Sequence, residues 1–138
     1  MIRTWPTACL LVQLLCGSAV AILANLTVAN AQEAFKSPAE AATALAEAAR
    51  SSDLKRLYAV LGTGGRDILS SGDPIADAGD RLRFVTAYDN RHSISEKGDA
   101  ATLLIGQDEF SFPIPIVRAG GRWKFDVEAG RKEIVARR

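Results

Sequence analysis

"FVTAYDNRHSISEKGDAATLLIG", residues 84–106, holds the change of period that divides this chain. Up to Asn90 the apolar side chains recur at steps of three and four, as on one face of a helix. From His92 onward they alternate with polar ones, as along a strand with one wet face. "RHSISEK" and "AATLLIG" are joined through Lys97, Gly98 and Asp99, which predicts an antiparallel hairpin. The chain before this stretch reads as helix, and most of the chain after it reads as sheet.

Working back toward the N-terminus, "SSGDPIADAGDRLRFVTAYDN" carries its own start signal. Asp73 stands where a capping residue belongs and Pro74 suits the first helical position. Asp77 falls in the first turn, where a negative charge complements the exposed N–H groups. Ile75, Ala78, Leu82 and Val85 are expected to share the buried face, with Phe84 and Tyr88 beside it. Gly79 costs a helix about 1 kcal/mol relative to alanine, so a close neighbour is expected there. "SSGDPIAD" (70–77) is thus expected to start a helix and brace the loop before it.

Two earlier segments use the same devices. "FKSPAEAATALAEAAR" places Ser37, Pro38 and Glu40 in a capping-box arrangement, with a stripe of Ala41, Leu45, Ala48 and Ala49 after it. "SSDLKRLYAVLG" is capped by Asp53, spaces Leu54, Leu57, Tyr58 and Leu61 helically, and ends at Gly62. The glycine-rich "GTGGRDILSSG" between the second and third helices lacks the lysine and serine of a phosphate-cradling loop, and it comes after a helix instead of a strand.

Beyond the hairpin, "EFSFPIPIVRAGGRWKFDV" predicts a second one turning at "RAGGR". Trp123, Phe125 and Val127 alternate with Lys124 and Asp126. Pro113 and Pro115 share strand parity, so one flank of that strand must be an edge, a bulge or a thinned ladder. "EAGRKEIVARR" closes the chain as a short helix. The expected fold class is α+β: three N-terminal helices packed on a curved antiparallel sheet of about four strands, with a short C-terminal helix.

The first 31 residues stand apart. Arg3 precedes a long uncharged apolar run, and "ANA" at 29–31 has the small residues that a signal peptidase reads. The expected organisation is a signal peptide over 1–31 and one domain over 32–138. That implies export to the periplasm or beyond, the alternative being an uncleaved anchoring helix. Both cysteines, Cys9 and Cys16, lie in the leader. The domain therefore has no disulfide, thiol nucleophile or cysteine metal site. Seventeen basic and sixteen acidic residues give a formal charge of +1, with no clustered basic field to capture nucleic acid or a membrane surface.

The spacing of "FKSPAEAATAL", "SSGDPIAD", "FVTAYDNRH", "FPIPIVRAGGRWKFD" and "AGRKEIVARR" resembles the domain of unknown function 2950 family of bacterial exported proteins, over residues 33–138. The resemblance implies a signal peptide and further chain beyond the position of Arg138, and brings no established activity. Helices leading into a curved sheet with Trp123 on a late strand are also similar to nuclear transport factor 2-like cones, an analogy of fold alone.

Few residues form a chemical constellation. Tyr88, Asp89 and His92 meet at the helix-to-strand junction, where a carboxylate can orient an imidazole for base work. His92 is the single histidine, too few for a zinc site. The plainer expectation has Asp89 capping a turn and His92 bonded to backbone. The expected function is a non-enzymatic module of the cell envelope that binds a protein partner or a small apolar ligand. Phe110, Phe112 and Trp123 would line its pocket or patch, and no cofactor or metal is implied. The alternative is a proton-transfer enzyme of the isomerase or dehydratase kind. It would use Asp89 or Asp126 as base and Tyr58 or Tyr88 as hydrogen-bond donor in a cone-shaped pocket.

Overall fold

A computed structural model describes residues 31–138; the expected signal peptide lies almost wholly outside the described residues. Five α-helices and five strands run in the order α1 (Pro38–Arg50), α2 (Leu54–Leu61), α3 (Arg66–Leu69), α4 (Pro74–Asn90), β1 (His92–Lys97), β2 (Ala100–Ile105), β3 (Phe110–Ser111), β4 (Ile116–Ala119), β5 (Arg122–Phe125) and α5 (Val127–Ala136). The α+β class is the one expected. The short helix α3, preceded by a 3-10 turn over Thr63–Gly65, occupies the glycine-rich stretch that offers no periodicity to read.

The helix starts obey local chemistry. Ser37 Oγ accepts from the Glu40 amide, and the Glu40 carboxylate accepts from the Lys36 amide. Asp53 caps α2 through the Arg56 amide. Asp73 accepts from the amides of both Ile75 and Ala76, with Pro74 at the first helical position. Each cap satisfies N–H groups that the first turn of a helix leaves unpaired. α1 is the central element: Ala41, Ala42, Ala44, Leu45, Ala46, Ala48 and Ala49 are all buried. Small side chains nearly all round let neighbours close on it from several directions.

α4 is rotated relative to expectation. Ile75 is 86% exposed and Leu82 67% exposed, and Ala78 is exposed as well. The inward stripe instead runs through Arg81, Phe84, Val85 and Tyr88, with Val85 and Tyr88 fully buried. The apolar residues of the first two turns therefore face water, and an arginine faces in. The expectation of a close neighbour at Gly79 also fails, since a Cβ there would touch only Arg83 Nη1, at 3.5 Å.

The sheet is antiparallel and open, ordered β1-β2-β4-β5, with β3 paired to β2. The β1–β2 hairpin turns at Gly98 and Asp99, which leaves Lys97 opposite Ala100. β2 pairs first with β3 (Leu104 opposite Ser111) and then with β4 (Ala101 opposite Ile116). Two residues of β2, Thr102 and Leu103, thus face the four residues Phe112–Pro115. The prolines have broken the predicted strand into two pieces, the thinned ladder that their missing N–H groups required. Beyond β5, Phe35 forms an isolated bridge to Trp123, with N···O distances of 2.7 and 2.8 Å.

The core lies between the helices and the inner sheet face, around Leu45, Leu57, Val60, Leu61, Ile116 and Phe125. α5 leaves β5 at Asp126, which accepts from the Ala129 amide. The expected strand position of Val127 is instead the first residue of this helix. α5 settles on the proline segment through Gly130, where a Cβ would come within 2.8 Å of Ile114 Cγ1.

Candidate functional site

A cavity of about 370 Å³ opens between α1, α2, α3, α4 and the proline segment. Its volume falls within the range of about 300–1,000 Å³ usual for small-molecule sites. The floor is apolar, built from Leu45, Leu57, Leu61, Phe84, Phe112 and Ile114. The mouth is polar: the α3–α4 loop contributes Ser70 and Ser71, α4 contributes Asp77, Asp80 and Arg81, and Asp67 and Arg138 flank them.

The loop is held by the motif that starts α4. Asp77 Oδ1 accepts from the Ser71 amide at 2.9 Å and from the Ser71 hydroxyl at 2.6 Å. These two bonds, the hydroxyl one foremost, lower the pKa of Asp77, and the nearby Arg81 charge adds to the effect. "SSGDPIAD" therefore starts the helix through Asp73 and clasps the cavity mouth through Asp77.

The other two carboxylates at the mouth are also engaged. Asp67 pairs with Arg131 at 2.5 Å, and Asp80 pairs with Arg83 one turn along α4. Arg81 differs. Its Nε is buried and has no hydrogen-bond partner among the described residues, and its guanidinium forms no ion pair there. A buried donor without an acceptor costs about 1–3 kcal/mol, more when it is charged. A charged donor left in that state beside an apolar cavity is the site's most unusual feature.

The residues singled out in the sequence separate. Phe112 lines the cavity and packs against Phe84, ring centroids 5.2 Å apart. Trp123 is buried elsewhere, bridged to Phe35 and covered by the Arg118 guanidinium at 4.8 Å. Phe110 is 54% exposed, with Arg137 5.4 Å from its ring centre. Tyr88 and His92 stack at 3.8 Å, and His92 Nδ1 lies 2.9 Å from the Tyr88 carbonyl oxygen. Asp89 turns away from both to an exposed ion pair with Arg50. Tyr58 lies under Arg66, and Asp126 is spent on capping α5. None of Tyr88, Asp89, His92 and Asp126 lines the apolar cavity.

A second, larger cleft of about 520 Å³ opens between Gln32, Gly62–Gly64 and the start of α5. Lys124, Asp126, Glu128 and Arg131 line much of it, so its chemistry is mixed and polar. Among the described residues no three His, Cys, Asp or Glu side chains converge as metal ligands would. No helix among them is long and apolar enough to cross a membrane.

Arg81, Phe84 and Ile114 line the cavity and were not among the candidate site residues read from the sequence. A signal was present in the spacing Asp77, Arg81, Phe84, Tyr88, which is a helical face containing two charges.

Residues 32–138 match the family model described as Protein of unknown function (DUF2950), and the chain belongs to that family. No curated protein and no solved structure matches it.

Proposed function

We propose that this member of the family is an exported, non-enzymatic binding module that takes a small apolar ligand in the cavity between α1, α4 and the proline segment. The observation that carries this reading is the shape of the core itself. Phe84, Phe112 and Ile114 border a half-open space of about 370 Å³ whose inner walls are apolar. Apolar walls with a few polar groups at the entrance are what small-ligand sites offer. Export is proposed from the leader sequence, and places the ligand in the cell envelope. Mass spectrometry of the mature protein, with Gln32 at its N-terminus, tests that part.

The proton-transfer alternative has less support. A general base works at a desolvated carboxylate close to its substrate. Asp89 is about half exposed and occupied by Arg50, and Asp126 caps a helix.

The ligand reading is tested with a dye that fluoresces in apolar surroundings, N-phenyl-naphthylamine, on the chain from Gln32 to Arg138. The native domain should bind it saturably. Ser70→Trp places an indole at the mouth without altering the core, and should abolish binding while leaving the far-ultraviolet circular dichroism unchanged. Undiminished binding by the folded Ser70→Trp variant would contradict the proposal.

A further inference from the structure

We infer that the ligand of this cavity is amphiphilic, a short apolar chain ending in a carboxylate, and that Arg81 is the residue that pairs with its head group. The inference rests on the cavity being a ligand site, and adds the chemistry of what enters it. Three observations lead there. The floor, from Leu45 to Ile114, offers nothing but hydrocarbon and aromatic surface to a chain of methylenes. At the mouth, Asp67 and Asp80 are each matched by an arginine, and Asp77 by both donors of Ser71. Two arginines without an ion pair among the described residues line the cavity, Arg138 and Arg81; Arg138 is exposed to water, whereas Arg81 has a buried Nε donor with no acceptor among the described residues.

Guanidinium is suited to the task because its planar fork can donate two parallel hydrogen bonds to one carboxylate. Nε is closed off from water. The side chain must therefore turn about its own torsions for Nε and a terminal nitrogen to meet the carboxylate side on. That turn exchanges an unsatisfied buried donor for a charge-assisted pair, so head-group binding and side-chain rearrangement are one event. The carboxylate that senses the Arg81 charge, Asp77, has its Oδ1 held in the Ser71 clasp.

Decanoate, decanol and decylamine share one chain and differ in the head, so their competition with the bound dye separates the possibilities. Decanoate should compete best, by about tenfold or more over decanol, the discrimination expected of a charged hydrogen-bonded pair. Arg81→Gln should bring the affinity for decanoate down toward that for decanol, while Arg81→Lys should retain part of the difference. In the native domain, the Nε–H resonance of Arg81 should shift on adding decanoate and stay put on adding decanol. Equal competition by decanoate and decanol would overturn the head-group assignment and leave the cavity standing. A preference for decylamine would also overturn it, and would give the mouth to Asp77 and its neighbours. Failure of all three compounds to compete would instead count against the ligand site itself. The comparison of head groups on the native chain needs no variant to fold.

Discussion

Asp77 and Ser71 show how one short motif can serve two ends. Asp73 spends its carboxylate on the first amides of α4, while Asp77, one turn on, reaches back to the loop. Its lowered pKa fixes the sign of the pH dependence. A carboxylate held below its ordinary range stabilises the folded loop above that range, and the contribution fades as acid protonates it through the lowered value. Hydrogen exchange at the Ser71 amide should thus be slow near neutral pH and speed up in acid. In Asp77→Asn the same amide should exchange faster at neutral pH and lose most of that acid dependence.

Gly130 poses a conflict between local propensity and packing. Alanine would favour the helix by about 1 kcal/mol over glycine. Its Cβ would, however, meet Ile114 at 2.8 Å from Cγ1 and 3.1 Å from Cα, and Ile114 is fully buried. Overpacking of that kind typically costs about 1–3 kcal/mol. Gly130→Ala should therefore destabilise by roughly 1 kcal/mol net, measured by urea unfolding. A gain in stability would show that α5 is free to shift off the proline segment.

At the scale of elements, the features legible in the sequence rest on chemistry that is local in the chain. The caps of α1, α2 and α4, the first hairpin around Gly98 and Asp99 and the interruption of pairing at Pro113 and Pro115 each depend on neighbours in sequence. The rotation of α4 does not. Its most apolar early residues, Ile75 and Leu82, lie outside, because the helix packs on α1 through Val85 and Tyr88 and turns Arg81 toward the cavity. A charge on the inward stripe looks like a solvated face to any reading based on periodicity. For the same reason only Phe112 of the candidate residues singled out in the sequence lines this cavity. Trp123 and His92 stand out in the sequence as rare residues, and the fold gives them packing partners in Phe35 and Tyr88.

The rotation has a direct consequence for stability. Ile75→Asn should change the unfolding free energy by no more than about 0.5 kcal/mol, as exposed positions do. Val85→Ala removes two buried methyl groups and should cost about 2 kcal/mol. If Ile75→Asn proved the more damaging of the two, the inward stripe would be the one the apolar residues suggest.

For the whole molecule, the segment from Gln32 to Phe35 ties the start of the described chain to α2 and β5. Gln32 Nε2 donates to the carbonyls of Val60 and Phe125, Glu33 N to that of Ala59, and Phe35 exchanges two bonds with Trp123. Phe35 is itself buried in the core. The stretch that matches the family, residues 32–138, is small enough for a domain to have a thin margin of stability. Losing these contacts should remove about 3 kcal/mol or more, most of it from Phe35. A chain beginning at Lys36 should consequently melt roughly 10 °C or more below one beginning at Gln32. An unchanged Tm would mean that the bridge to β5 is ornamental.

The cavity is the feature on which the functional account turns, and amide chemical shifts locate a ligand within it. On titrating the domain with decanoate, shifts should be confined to the residues of the mouth and floor, among them Ser70, Ser71, Asp77, Arg81, Phe84 and Ile114. Shifts gathered on the outward face of α4, at Ile75 and Leu82, or spread over the polar cleft beside α5, would contradict it.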